Sequence, residues 1–530
     1  MHFYKEKRFC ILLSVLLFSL VYFLPLIIKL PDYLMDDFLM FTIINKNPSG
    51  FIMLNPGDMI HMLVRPLTFF SFWFDCIVLK SSSLHMKIET LLLHFCFISV
   101  FFVFTCDLLK YLKFNIYVYK LGIITLIISV HTISMWWIIL IGLRNELMMI
   151  LFYTISLYSV FLFIKTGKNY FLVISLIFYI FSFLSKQQSL HLPLIVLIIL
   201  IFFKNNFEKE IRLKLLYFVS TALIFMVIFL IINGHYYESS TNLLSFSGLW
   251  KKPLSALSSI GLALFPFETD ILYNYLIVHV LTAIIIFSVL TGVILFLFAG
   301  NLYSRKILLC TGLIFIISFF PVLAAEITLR IISIQVFLVY LFLALFVHKI
   351  KIKNYIVYPA LILILCLNIH ASLKQFFDEE SLNNKRKDCI VKLDDFIKTS
   401  GGENKILITS SPFGLYIPYQ YYYYKNNAFG KDSLTDAPFG WTYYFKNFYA
   451  KEIRNTGEIL MNTRLKDSTI ILEPAKDYIK LFTDNTKNFK IIKQTKDNLK
   501  GYTEIEFIAP DIYRDYTKIY YNGTEWGKLK

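Results

Sequence analysis

Uninterrupted apolar runs of about twenty residues recur through residues 1–372, and nothing constrains the fold more. A bilayer's hydrocarbon core is ~30 Å thick, and an α-helix needs about 20 apolar residues to cross it. Lipid offers no hydrogen-bond partner to bare backbone, so such runs must be helical. This rule marks eleven spans, at about 9–30, 84–109, 120–139, 146–165, 169–186, 190–204, 214–233, 273–299, 306–323, 329–348 and 354–372. The first follows Lys5, Lys7 and Arg8 but is long for a signal peptide's apolar core and has no small-residue cleavage site, so it reads as a retained helix.

Composition agrees. The 530 residues are 57% hydrophobic and 17% charged, against about 25% charged in soluble domains, and the mean hydropathy is +0.63. The abundance of Phe, Tyr and Lys is also what an AT-rich gene produces, so no function is read from it. A net charge of +16 suggests nucleic acid in a soluble protein. Here much of the excess sits in short loops between apolar runs, and no nucleic-acid motif is present. Most of the seven Cys lie inside apolar runs with no CxxC or zinc spacing, and read as small buried hydrophobes.

Loop charge orients the spans. Lys110, Lys113 and Lys120; Lys165 and Lys168; Lys204, Lys209, Arg212 and Lys214; Arg305 and Lys306; and Lys349, Lys351 and Lys353 fall in loops that share a side with the basic N-terminus. That side is expected to be the cytoplasm, which puts the chain in a bacterial inner membrane with its C-terminal part in the periplasm. On the outer side, 31–83 and 250–268 read as surface-lying amphipathic helices. Were 253–267 a short span instead, everything after it would flip.

After residue 372 the pattern changes: charge rises, and β-rich runs appear at 405–409, 468–473, 489–494 and 502–509 between helical stretches. The expected fold class is therefore an α-helical polytopic membrane domain at 1–372 followed by a soluble α/β domain at 373–530. The aromatic run at 416–425 suits a sugar-stacking surface, a strand or a membrane-edge belt equally.

Ionisable residues near the outer ends of the spans carry the functional signal, because charge at a membrane is costly. Asp36 and Asp37 follow the first span. Arg65 lies in VRPLTFF, Arg144 and Glu146 in GLRNELMM, Lys186 in LSKQQ, and Glu326 and Arg330 in AAEITLRIIS. Taken singly, a juxtamembrane cation is more often an anchor, and an acidic pair more often a solvated loop. Taken together, cations facing carboxylates at one depth suit group transfer from a lipid phosphate. The cations hold the phosphate and stabilise its charge as it leaves. A carboxylate takes the acceptor's proton, and its acidic neighbour raises its pKa by repulsion.

The order of these elements resembles the GT-C superfamily of membrane glycosyltransferases, most closely the branch with protein O-mannosyltransferases and bacterial relatives. Asp36-Asp37 match its acidic pair, Arg65-Pro66-Leu67 its RPL, and His94 closes an LLLH. His131, Trp137 and Arg144 follow its next block, without that block's Pro and Glu. Ser185-Lys186 match its SK, with Gln187 in place of Glu and Pro193 retained. Arg330 matches the Arg of an RY element, with Ile331 in place of Tyr. The likeness covers about 10–350.

It implies transfer of a hexose from a polyprenyl-phosphate carrier to an outer-side acceptor, usually with inversion. Asp36 ranks ahead of Asp37 as base. Arg65, Arg144, Lys186 and Arg330 would hold the donor phosphate, with His94, His131 and Glu326 in support. The acidic metal ligands of distant relatives are not evident, so no metal or cofactor is expected. The acceptor class favoured is O-antigen or another surface polysaccharide, as in serotype-converting glucosyltransferases, with lipid A and protein as alternatives. Such an enzyme depends on a donor-synthesising transferase and a flippase. The competing readings are a polysaccharide polymerase or flippase, and a transporter. A polymerase places its large outer loop mid-chain, and a flippase lines a midplane path with charge. A transporter shows repeats or broken helices.

Overall fold

A computed structural model describes residues 2–34, 37, 41, 44, 65–203, 205, 207–233, 309–310, 313–314, 317–318, 333–349, 353–399 and 417–426, together with eight strands between 406 and 528. The chain divides into two units. One comprises Met1–Asp32 and Ser49–Phe377, the other Tyr33–Pro48 and Asp378–Lys530.

The first unit is a bundle of apolar helices. These are α1 (His2–Lys29), α2 (Pro66–Trp73, continued by a π-helical turn over Phe74–Leu79), α3 (Ser83–Tyr111), α4 (Val118–Ser129), α5 (Thr132–Ile139), α6 (Arg144–Thr166), α7 (Asn169–Ser185), α8 (Leu192–Phe203), α9 (Lys209–Asn233), α10 (Ser333–Lys349) and the part of α11 (Asn354–Thr399) up to Phe377. Five helical stretches among the described residues are long and apolar enough to cross a membrane, or six if the bent pair α4–α5 counts as one. The protein is thus a helical, multi-pass membrane protein. Of the eleven expected spans, 273–299 and most of 306–323 lie outside the described residues, as do 250–268 and the alternative span at 253–267.

Local chemistry sets the helix ends. Ser82 caps α3 by accepting from the His85 amide. Gly167, at φ 69°, ends α6 in the left-handed conformation that a glycine adopts without a Cβ clash. Most of α6 is buried, whereas α1, α9 and α11 turn most of their apolar surface outward. Serines join α6 to α7: Ser156 Oγ donates to the Ser175 carbonyl and Ser182 Oγ to the Met149 carbonyl, both at 2.8 Å. Such bonds help hold helices together where lipid supplies no hydrophobic drive. Where α1 meets α4, Gly122 lets the backbone come so near that a Cβ there would lie 2.6 Å from Ile11 Cγ2.

The expected single span at 120–139 is instead two helices bent by 49°. His131 starts α5 as its N-cap, taking the Ile133 amide on Nδ1 at 3.1 Å. Ser134 Oγ donates to the Ile128 carbonyl at 2.9 Å, resupplying a partner that the break removes. The last expected span, 354–372, continues without interruption to Thr399.

In the second unit, strand order is β2-β1-β7-β8 in one sheet and β3-β4-β6-β5 in the other. β1 (Ile406–Ser410) pairs in parallel with β2 (Thr435–Asp436) and with β7 (Thr517–Tyr521), which pairs antiparallel with β8 (Trp526–Lys528). The sheet of β3 (Thr463–Lys466), β4 (Thr469–Leu472), β5 (Lys490–Asp497) and β6 (Tyr502–Ile508) is antiparallel throughout. The tyrosine-rich run at 416–425 forms a helix, α12 (Ile417–Asn426). Its Tyr421 is buried and donates to Asp394 Oδ1 at 2.8 Å.

Candidate functional site

The bundle's two ends differ in chemistry. At one, lysines lie over aromatic rings: Lys7 over Tyr119 at 4.5 Å, Lys349 over Phe114 at 5.2 Å and Lys353 over Tyr355 at 5.6 Å. At the other, the C-terminal ends of α1 and α7 meet the N-terminal ends of α2, α3, α6 and α10, and buried charge collects there.

The first buried cluster is centred on Arg144, the opening residue of α6. Its Nη1 donates to Asp75 Oδ2, its Nε to Thr90 Oγ1 at 3.2 Å and its Nη2 to the Met86 carbonyl at 2.9 Å. Glu89 Oε2 lies 3.5 Å from Nη2. The guanidinium also sits over the Phe72 ring, 5.4 Å from its centroid. All three nitrogens are thereby spent on the π-helical turn and α3, while the ring contact reaches α2. Arg144, expected among the phosphate-holding cations, fastens these segments together, and its charge is met by Asp75.

The second cluster joins α6, α7 and α10. Lys186, the residue that ends α7, forms an ion pair with Glu146. Ser333 Oγ donates to the other oxygen of Glu146 at 2.9 Å. The Glu146 side chain is 1% exposed and that of Lys186 12%, so the lysine is the member that reaches the surface. Thr68 Oγ1 donates to the Ser185 carbonyl at 3.1 Å, tying the start of α2 to the residue before Lys186. Arg65 precedes that helix at its N-cap and is half-buried.

A third cation was not foreseen. Lys87 is fully buried, and its ammonium donates to the carbonyls of Leu30 and Asp32 at 2.6 and 2.7 Å. It caps the carbonyl end of α1, where a helix dipole favours positive charge. Lys87 and Glu89 sit at the edge of an expected span, and Asp75 in a stretch that reads as a surface-lying helix. The only sequence signal for them was charge within apolar runs.

Asp37 belongs to the second unit. It is 1% exposed and its Oδ2 accepts from the Leu34 amide at 2.9 Å. The carboxylate of Asp37 thus satisfies a backbone amide three residues before it.

His94 is buried among Phe23, Phe97 and Trp137. Its Nε2 lies 3.2 Å from Ser129 Oγ, which is 2.6 Å from Ser19 Oγ. This chain links α3, α4 and α1 inside the bundle. His131 caps α5 and packs edge-on against Tyr340. Both histidines link helices inside the bundle. Asp36, Glu326 and Arg330 lie outside the described residues. No group of three His, Cys, Asp or Glu side chains among the described residues is placed to hold a metal.

No protein-family model matches the chain, and no curated protein matches it.

Proposed function

We propose that the chain is a membrane glycosyltransferase that moves a hexose from a polyprenyl-phosphate carrier to a surface-polysaccharide acceptor such as O-antigen. The observation that best supports this is the Lys186–Glu146–Ser333 cluster. A carboxylate fixed by a serine holds one ammonium at the edge of the bundle. A lysine so held meets an incoming phosphate as a preorganised charge, which is how a leaving phosphate is best stabilised. Lys186 therefore carries the donor phosphate, with Arg65 and Arg330 as further candidates and Arg144 as a scaffold residue. Asp36 is the general base, because the carboxylate of Asp37 is committed to the Leu34 amide.

The same reading gives eleven spans, a bacterial inner-membrane location, a cytoplasmic N-terminus and a periplasmic α/β domain that selects the acceptor. The lysine–aromatic end of the bundle is then the cytoplasmic one.

The test is to incubate membranes containing the wild-type chain or Asp36→Asn with polyprenyl-phosphate-[14C]glucose and isolated lipid-linked polysaccharide. Label transferred by the wild type and lost in the variant, with equal protein in both membranes, supports the proposal. Wild-type membranes that transfer no label from this donor, or from the mannose and galactose equivalents, refute it.

A further inference from the structure

At the lysine-rich end of the bundle, away from the Lys186–Glu146 pair, α3, α6, α8 and α10, with Phe207, Cys310 and Ile314, line an open cavity of about 200 Å³. Its walls include Phe104, Leu157, Phe161, Ile199, Leu341 and Phe342, and they are predominantly apolar. A volume of this size is well above what a single water needs, but apolar walls disfavour water. An alkyl chain suits it in both size and chemistry. Two lining residues, Tyr111 and Phe342, are also exposed, so the cavity opens at the bundle surface.

The mouth is basic. Tyr111 and Leu112 line the cavity, and the same turn carries exposed Lys110 and Lys113, closed by the Lys113 amide donating to the Lys110 carbonyl at 3.1 Å. Lys113 takes φ 58°, which ends α3 there. Lys165 lies across the mouth with its ammonium 5.9 Å from the Phe161 ring centroid. One acid stands nearby, Asp107, 3.8 Å from Lys165 and accepting from the Tyr158 hydroxyl at 2.9 Å. Three cations against one anion leave the rim positive. An apolar slot under a positive rim is complementary to a single amphiphile, with an alkyl chain below and an anionic headgroup above.

We propose that this cavity is a binding site for an anionic phospholipid, one acyl chain filling the slot and the phosphate resting on Lys110, Lys113 and Lys165. The site is independent of the proposed sugar transfer, since it shares no residue with the charged end.

The test uses the full chain in nanodiscs of phosphatidylcholine doped with phosphatidylglycerol carrying a diazirine on one acyl chain. After irradiation, crosslinks are mapped by mass spectrometry. The expected result is labelling of Leu157, Ile199 and Leu341, reduced at least fivefold by excess unlabelled phosphatidylglycerol and not by equal phosphatidylcholine. A Lys110→Gln, Lys113→Gln, Lys165→Gln variant should lose that headgroup preference while keeping its fold, checked by gel filtration. Labelling confined to outward residues such as Val103 and Ile201 would overturn the proposal. So would competition equal for both lipids, or competition by polyprenyl phosphate but not by phosphatidylglycerol.

Discussion

Lys186 and Glu146 meet where the end of α7 crosses the start of α6, and the carboxylate of Glu146 is shared between that lysine and Ser333. A buried pair of this kind orients more than it stabilises, since desolvating two charges costs about as much as their attraction returns. Removing only one member is different, because it strands the other in an apolar setting. Glu146→Gln should therefore lower the melting temperature in detergent markedly, a loss of about 3–5 kcal/mol. The double change Glu146→Leu with Lys186→Met should recover most of that stability but no sugar transfer. A double variant that regains transfer would remove Lys186 from the donor site.

Arg144 yields a separate prediction. Lysine can replace its charge but not its three directed donations to Asp75, Thr90 and the Met86 carbonyl. Arg144→Lys should loosen the π-helical turn that carries Asp75 and its neighbour Cys76. Each lost bond is worth about 1 kcal/mol, and a 1.4 kcal/mol shift in opening is tenfold. With the other cysteines replaced, maleimide should label Cys76 roughly tenfold faster than in the wild type. An unchanged rate would mean that Phe72 packing alone holds the segment.

These two arginine and lysine networks show what a linear reading can reach. Apolar runs of about twenty residues announce helices because period and length are local properties, and the ends of α1, α3, α6 and α7 fell close to where those runs stop. Arg144, Glu146 and Lys186 stood out because charge beside a span is costly. Their partners were not legible. Asp75 and Arg144 are 69 residues apart, and Ser333 and Glu146 are 187 apart. Such pairing is decided by helix packing, on which sequence spacing is silent. The break between α4 and α5 was missed for a related reason: neither Val130 nor His131 is a helix breaker, and the bend rests on capping by a histidine side chain and on Ser134.

The two first-loop aspartates should separate experimentally. Asn at position 37 keeps an oxygen that can accept from the Leu34 amide, so Asp37→Asn should change stability by less than about 1 kcal/mol and leave transfer largely intact. Asp36→Asn should cost the 10²–10⁴-fold typical of a lost general base. Rates measured on matched amounts of each purified variant decide this. Equal loss in both would make the carboxylate pair act together, and loss only in Asp37→Asn would reverse the assignment.

The close approach of α1 to α4 at Gly122 supplies a test of packing that does not depend on function. A Cβ at position 122 would lie 2.6 Å from Ile11 Cγ2, nearer than carbon atoms approach, so one of the two helices must move. Small residues are used at membrane helix contacts because dispersion is lost steeply when helices part. Gly122→Ala should thus destabilise by about 1–3 kcal/mol, the usual cost of overpacking a filled interior, even though alanine is the better helix former. Leucine at position 11 has no Cγ2 methyl. Ile11→Leu should therefore be nearly neutral alone and should restore most of the stability lost in Gly122→Ala. The double-mutant cycle, read from thermal unfolding of the four proteins in one detergent, should give a coupling of at least about 1 kcal/mol. Simple additivity would mean that α1 shifts freely against α4 and that the close contact at Gly122 is not a fixed feature of the bundle.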